Sequence, residues 1–281
     1  MDEVELLFTE ALHSDRMSLY LDRSIILGKD KSGFIAQALK RRINCEPIQY
    51  ILGKTEFMGL EFKVNQDVFI PRPETEILVE TVIEYVTKSP CLSGRQAGQC
   101  ASLPEGDKVT SKDILDIGTG SGCIAISLVK LLPNIRLTAI DVSKKALEIA
   151  RYNAKLNNLE DKIKFLHTNL FTNYELRTTN YDIIVSNPPY VPTSEINELQ
   201  PEIQYEPCIA LDGGEDGLDF YRHLIAQSRH YLKRNGFLIM EMGYNQKNAI
   251  KKIFQNSEVF KIIEVIKDYN NIDRVVVTQL Q

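Results

Sequence analysis

The tetrapeptide Asn187-Pro188-Pro189-Tyr190 ends the apolar run Ile183-Ile184-Val185-Ser186, and its residue types suit the capture of a planar, weakly nucleophilic –NH2 group. The asparagine side-chain oxygen can accept one N–H of such a group. Pro188 holds Asn187 in extended backbone, because the position before a proline is disfavoured in the helical region. Pro189 has no N–H, which leaves the Pro188 carbonyl able to accept the second N–H. Tyr190 offers a flat face on which an amide or a base can stack. A Pro-Pro pair after a strand also serves as a plain loop terminator, and Asn-Pro as a turn start. The tetrapeptide therefore gains its chemical reading only from what accompanies it.

That accompaniment is Asp116-Ile117-Gly118-Thr119-Gly120-Ser121-Gly122, where an apolar strand gives way to a helix. About 20 residues further on, the next strand ends in Asp141, the spacing of a ribose-binding acid. Glycines at such a turn let backbone N–H groups approach a ligand closely. The loop is not a dinucleotide fingerprint, since Cys123 stands where the third glycine would fall. Nor is it a P-loop, since no Gly-Lys-Ser/Thr follows. Asp116 would repel a phosphate and welcome a cation or an amino group. S-adenosylmethionine meets these demands, with the glycines against its aminocarboxypropyl arm and Asp141 on its ribose. A methyl donor at the loop and an amine grip at Asn187, both at carboxyl ends of strands, predict methyl transfer. An amide nitrogen is a poor nucleophile, so the expected remedy is orientation by the two acceptors, with no general base or metal. Asp116 is counted with the cofactor residues.

The elements that must position these residues alternate from residue 113 onward. Strands are predicted over Ile114 to Ile117, Leu137 to Asp141, Ile163 to Leu166, Asp182 to Ser186 and Gly236 to Glu241. Helices are predicted over Cys123 to Leu132, Lys144 to Asn157, Phe220 to Leu232 and Gln246 to Phe254. Ile262 to Ile266 and Arg274 to Thr278 close the chain as an antiparallel edge. Continuous β-branched strands between helices give an α/β, doubly wound, mostly parallel sheet. Ahead of it, apolar spacing in residues 1–44 predicts a small helical domain. Residues 45–75 suggest a β-hairpin linker, with Thr75 as a candidate cap for a helix over Ile77 to Val86. The methyltransferase domain then spans 76–281, interrupted by a disordered insertion over 88–112 with no periodicity.

Bulk properties narrow the classes. The chain has 281 residues, 43% of them hydrophobic, and a net charge of -5, which argues against a protein that grips long stretches of nucleic-acid backbone. Lys40-Arg41-Arg42 reads as a solvated helix face. Five cysteines at 45, 91, 100, 123 and 208 form no Cys-x-x-Cys, so no metal is expected and the thiols point to a reducing cytosol. The acidic start Met1-Asp2-Glu3-Val4-Glu5 is unlike a signal peptide, and no apolar run approaches the roughly 20 residues that span a bilayer. A cytoplasmic monomer without membrane contact is the expectation. The histidines at 13, 167, 223 and 230 are read as structural or surface groups.

Nearly the whole chain resembles the HemK family, the protein-(glutamine-N(5)) methyltransferases of peptide chain release factors. The resemblance is carried by Glu46 to Gly53, Phe69-Ile70-Pro71-Arg72-Pro73-Glu74-Thr75-Glu76, Asp116 to Gly122 and Val185 to Tyr190. Glu206-Pro207, Ala210-Leu211, Asp216-Gly217-Leu218, Glu241-Met242-Gly243 with Gln246, and Asp273-Arg274-Val275 complete it. It implies a seven-stranded Rossmann-like methyltransferase sheet, S-adenosylmethionine as donor, and the glutamine of a release factor's Gly-Gly-Gln loop as acceptor, tuning translation termination. It assigns Gly118, Thr119, Gly120, Ser121, Gly122, Asp141 and Asn187 to the cofactor, and Asn187, Pro188, Pro189 and Tyr190 to the substrate amide. The N-terminal helices are expected to dock the release factor. One departure stands out: Asn169 and Leu170 occupy the adenine-side positions where an Asp and an aromatic or apolar residue are usual, so the adenine contact would be uncharged. The alternative is an adenine-N6 methyltransferase on DNA or RNA, whose exocyclic amine presents the same –NH2.

Overall fold

In the computed structural model, the described residues are 2–21, 28–87, 111–169 and 180–281. Strands β3 (Lys112–Ile117), β4 (Ile135–Asp141), β5 (Ile163–His167), β6 (Tyr181–Ser186), β7 (Leu232–Glu241), β8 (Phe260–Lys267) and β9 (Asp273–Leu280) form one sheet of seven strands. Its order is β5-β4-β3-β6-β7-β9-β8. The first five strands run parallel, and β9 is antiparallel to both of its neighbours.

Side chains alternate across a strand, and here both faces are covered. Ile114, Ile183, Val185, Ile239, Val275 and Val277 face α5 (Pro73–Thr87), α6 (Cys123–Leu131) and α7 (Lys144–Leu156) in one core. Their immediate neighbours Leu115, Ile184, Leu238, Met240 and Val276 face α8 (Asp219–Ser228) and α9 (Lys247–Ser257) in a second. Two-sided burial is why these strands read as unbroken apolar runs rather than as alternation. A fully buried Leu or Ile contributes about 1.5–3 kcal/mol, so the sheet is a stiff floor for whatever its ends carry.

The N-terminal helices α1 (Glu3–Leu12), α2 (Arg16–Leu21), α3 (Lys29–Ile43) and α4 (Ile48–Leu52) lie ahead of a hairpin of β1 (Lys54–Phe57) and β2 (Leu60–Lys63). Leu7, Ala11, Ile35, Ala38, Ile48 and Ile51 form their own small core. Asp2 and Glu5 make a reciprocal capping box at the start of α1. The hairpin turns through Met58 and Gly59, both at positive φ, as a type I′ turn requires.

Several boundaries differ from the sequence reading. The region assigned to a hairpin linker also contains α4, a helix of five residues started by Pro47, too short to show a period. Helix α8 stops at Ser228, and Leu232 already pairs with Tyr181 in the sheet. Lys112 belongs to β3 and pairs with Ile135, while residues 88–110 of the expected insertion lie outside the described residues. Thr75 is not a helix cap: α5 begins at Pro73 and Thr75 lies buried in its first turn. Proline suits that first position because its fixed φ is helical and its missing N–H would have no partner there. Lys40-Arg41-Arg42 is not merely a solvated face either. Arg41 grips Glu46 at 2.5 and 2.7 Å, and Arg42 pairs with both Glu3 and Glu202. Among the described residues, no helix is long and apolar enough to cross a membrane.

Candidate active site

The sheet register sets the site. Ile117 pairs with Ile140 on one side and with Ser186 on the other, and Ser186 pairs with Met240. One residue further along each strand, Asp141, Gly118, Asn187 and Glu241 therefore stand in a row at the carboxyl edge. The row straddles the point where the chain, having stepped outward through β4 and β5, returns to β6 beside β3. Open α/β sheets bind ligands in the crevice that this reversal opens.

At the β3–β4 end, Gly118 and Thr119 N–H both donate to the Ile140 carbonyl at 3.0 Å. Asp141 accepts the Gly120 N–H at 2.9 Å on one oxygen and the Ser143 N–H at 2.8 Å on the other. Burial holds its carboxyl above the usual range, and these backbone donors pull it back down. Gly118, Gly120 and Gly122 all take positive φ. A Cβ on Gly118 would meet nothing within 4 Å, whereas one on Gly122 would press on Ile126 at 3.0 Å and Ala150 at 3.2 Å. Gly122 thus serves close helix packing, while Gly118 borders open space. Asp116 is fully buried. Its Oδ2 accepts the Thr119 hydroxyl at 2.6 Å, and among the described residues its Oδ1 has no partner. Burial pushes its pKa up to about 7, with Thr119 opposing. An open glycine turn, an acid aimed by two backbone N–H groups and an unsatisfied buried carboxylate oxygen fit a ligand rich in hydroxyl and amino groups. Behind the loop, buried Asn153 bonds Lys63 N at 2.7 Å, Lys63 O at 3.0 Å and Ser121 O at 2.9 Å, tying the hairpin to the turn.

At the β6–β7 end the site is made of side chains. The Asn187 amide donates from Nδ2 to the Thr75 hydroxyl at 3.1 Å, which leaves Oδ1 as an acceptor. Thr75 donates in turn to Glu241 Oε2 at 2.8 Å, and the Tyr190 hydroxyl lies 3.4 Å from Oε1. Burial raises the Glu241 carboxyl to about 7, against the pull of Thr75 and the Arg274 charge. Among the described residues no donor is bound to the Pro188 carbonyl. Tyr190 is wedged by three glycines: an added Cβ would come within 2.8 Å of its Cα at Gly213, 2.4 Å of its carbonyl at Gly217 and 2.9 Å of its ring at Gly243. Gln246 fastens the same turn, donating to the Tyr190 carbonyl at 2.9 Å and accepting from Gly243 N–H at 3.1 Å. In front, buried Glu206 accepts the Ile70 N–H at 3.0 Å and pairs with Arg72, whose guanidinium lies 4.8 Å over the Phe69 ring.

The comparisons with known proteins agree with this architecture. A PrmC N-terminal domain model matches residues 2–53, and a methyltransferase small domain model matches residues 101–202. The release factor glutamine methyltransferase of Thermodesulfovibrio yellowstonii is 39% identical over 99% of this chain and 91% of its own. That of Clostridium acetobutylicum is 36% identical over 98% and 90%. The chain belongs to the release factor glutamine methyltransferase family. A methyltransferase from Pyrococcus furiosus, 17% identical, superposes over 87% of this chain and 98% of its own with a TM-score of 0.52, which speaks to the fold alone.

Against the sequence reading, the structure brings together Asp116, Gly118 to Gly122, Asp141 and Asn187 to Tyr190. Asn169 lies exposed just past β5, beside the strand end that carries Asp141, since Thr168 N–H bonds the Asp141 carbonyl at 3.0 Å. Leu170 falls outside the described residues. The sequence gives Glu241 and Gln246 no role and Thr75 only that of a helix cap, although all three lie in segments that carry the family resemblance. Among the described residues no group of His, Cys, Asp or Glu is placed to hold a metal ion.

Proposed function

We propose that this protein transfers a methyl group from S-adenosylmethionine to the side-chain amide nitrogen of the glutamine in a release factor's Gly-Gly-Gln loop. The observation that carries the reading is the orientation of Asn187: its Nδ2 is occupied by Thr75, so its Oδ1 is the atom offered to an incoming –NH2. S-adenosylmethionine, when bound, supplies an electrophilic sulfonium methyl. Gly118, Gly120 and Asp141 would hold its amino-acid and ribose parts, with Asp116 turned toward the amino group and Asn169 on the adenine side.

Asn187 Oδ1 and the Pro188 carbonyl take one N–H each of the substrate amide, which leaves the nitrogen lone pair facing the glycine turn. As the N–CH3 bond forms at the expense of the donor's S–CH3 bond, positive charge grows on the nitrogen and both hydrogen bonds strengthen, so they favour the transition state over the bound substrate, and the nitrogen then loses one of its protons to water. Orientation of this kind supplies up to roughly 7–11 kcal/mol. Pro189 and Tyr190 wall the amide in.

The N-terminal helices are the docking element in this reading. Met17, Tyr20 and Leu21 on α2 are about 70% exposed (71%, 69% and 73%), an apolar surface that a protein partner can cover. Met17→Glu with Leu21→Glu should raise KM for the release factor at least about tenfold, a buried apolar contact being worth on the order of 1.4 kcal/mol or more, while cofactor affinity stays unchanged. The substrate in this reading is a protein rather than a nucleic acid, which the net charge of -5 supports. The test of the reaction is transfer of labelled methyl to purified release factor beside a Gln→Ala variant of its Gly-Gly-Gln loop. Label on the wild type alone supports the proposal; label on neither, or on nucleic acid, overturns it.

A further inference from the structure

We infer that Glu241, acting through the Thr75 hydroxyl, is a positioning residue that fixes which end of the Asn187 amide faces the acceptor. The inference rests on the reading of Asn187 given above and extends it to residues that never touch the substrate.

The argument is one of hydrogen-bond direction. The two ends of an asparagine amide are nearly the same shape, so packing alone does not distinguish oxygen-out from nitrogen-out. The difference lies in which end donates. Asn187 has one side-chain partner among the described residues, the Thr75 hydroxyl at 3.1 Å. That hydroxyl has a single hydrogen, and it is directed to Glu241 Oε2 at 2.8 Å. Toward Asn187, Thr75 can then show only a lone pair, and only the amide –NH2 can answer it. Oδ1 is thereby turned to the open side, where an acceptor is required. The chain Asn187 to Thr75 to Glu241 runs in one direction because Glu241 Oε2 accepts the one hydrogen that the Thr75 hydroxyl has to give.

The fold supports each link. Glu241 is one residue past Met240, the register partner of Ser186, so it stands beside Asn187. Strand alternation turns it away from the α8–α9 core of Met240 and toward α5, where Thr75 sits. Thr75 and Glu241 are each only 2% exposed, so water does not compete for the hydroxyl. Pro73 at the start of α5 and the Arg72–Glu206 pair anchor the first turn that carries Thr75. Reversing the chain would leave the amide –NH2 facing the substrate –NH2, donor against donor.

The test compares Thr75→Val, Thr75→Ser and Glu241→Gln with Asn187→Ala on the full-length enzyme. Single-turnover methyl transfer to release factor is measured with KM and S-adenosylmethionine affinity. Thr75→Val removes the hydroxyl at equal volume. Glu241→Gln lets an amide donate to Thr75 and reverse the chain. Both should lower turnover at least about tenfold, with KM and cofactor Kd within about threefold of wild type, and Thr75→Ser should restore the rate. Wild-type turnover in Thr75→Val and Glu241→Gln beside a disabled Asn187→Ala would overturn the relay and leave the Asn187 reading standing. Full turnover in Asn187→Ala would remove the reading on which the relay rests. Failure of Thr75→Ser to recover, or parallel loss of rate and cofactor affinity, would assign Thr75 to packing and overturn the proposal. Should Glu241→Gln not fold, the valine–serine pair at Thr75 decides alone.

Discussion

Between β3 and β4 the site is held in place by local backbone groups. Gly118 and Thr119 N–H groups anchor the turn on the Ile140 carbonyl, and Asp141 is aimed by the N–H groups of Gly120 and Ser143. Every contributor lies within one strand–turn–helix–strand unit. Between β6 and β7 the site is made of side chains drawn from across the chain: Asn187 bonds a residue 112 positions away, and Thr75 bonds one 166 positions away. The first end suits a ligand that needs hydroxyl and amino recognition, for which local geometry suffices. The second end must present one acceptor oxygen in one direction. That requires a side chain whose orientation is enforced from behind, and so a wider set of partners.

This contrast yields expectations that separate the two ends. Asn187→Ala should lower turnover by about 10²–10³-fold, the loss seen when one preorganised polar contact is removed, with a much smaller change in cofactor affinity; stopped assays at saturating donor read both. Asp141→Ala should weaken S-adenosylmethionine binding about 10–100-fold, as expected for loss of hydrogen bonds to a charged group of about 1.5–3 kcal/mol. An unchanged Kd in calorimetry would show that the ribose site is elsewhere.

A pH effect is shared by both ends and sharpens the picture of their burial. Asp116 and Glu241, ordinarily near 3.8 and 4.5, are both raised to about 7. Between those values the folded protein keeps protons that the unfolded chain releases. The stability from their protonation is full below about pH 4 and is lost as pH rises through about 7. Asp116→Asn, which can still accept from Thr119, should flatten this fall in urea titrations across that window. The smallest effect is expected away from both ends: Arg42→Ala removes exposed ion pairs to Glu3 and Glu202 and should change stability by no more than about 1 kcal/mol, with cofactor affinity untouched.

The same contrast explains what the sequence made legible. The glycine turn, Asp141 and Asn187 could be read because each follows an apolar strand directly, and a parallel sheet aligns such ends without knowledge of the packing. The central strands β3, β6 and β7 are readable for a related reason: two-sided burial writes itself as continuous apolar runs. Thr75 looked like a cap because a threonine ahead of an apolar run is a common helix start; its partners Glu241 and Asn187 lie too far along the chain for any local pattern to connect them. Glu206, Gly217 and Gln246 were visible as motif residues, but their jobs of pinning Arg72 and Tyr190 exist only once the strands are aligned. The apolar spacing carries helix α8 too far because Tyr231 and Leu232 continue it, while Leu232 already opens β7.

The most direct test of this division crosses the two ends in a single experiment. Donor affinity and single-turnover methyl transfer to release factor are measured for wild type, Asp141→Ala and Asn187→Ala, each saturated with S-adenosylmethionine for the rate. The account predicts a crossed result: Asp141→Ala loses affinity and keeps most of its saturated rate, while Asn187→Ala keeps affinity and loses the rate. Two variants that lose affinity and rate in parallel would contradict it, because the site would then behave as one undivided pocket.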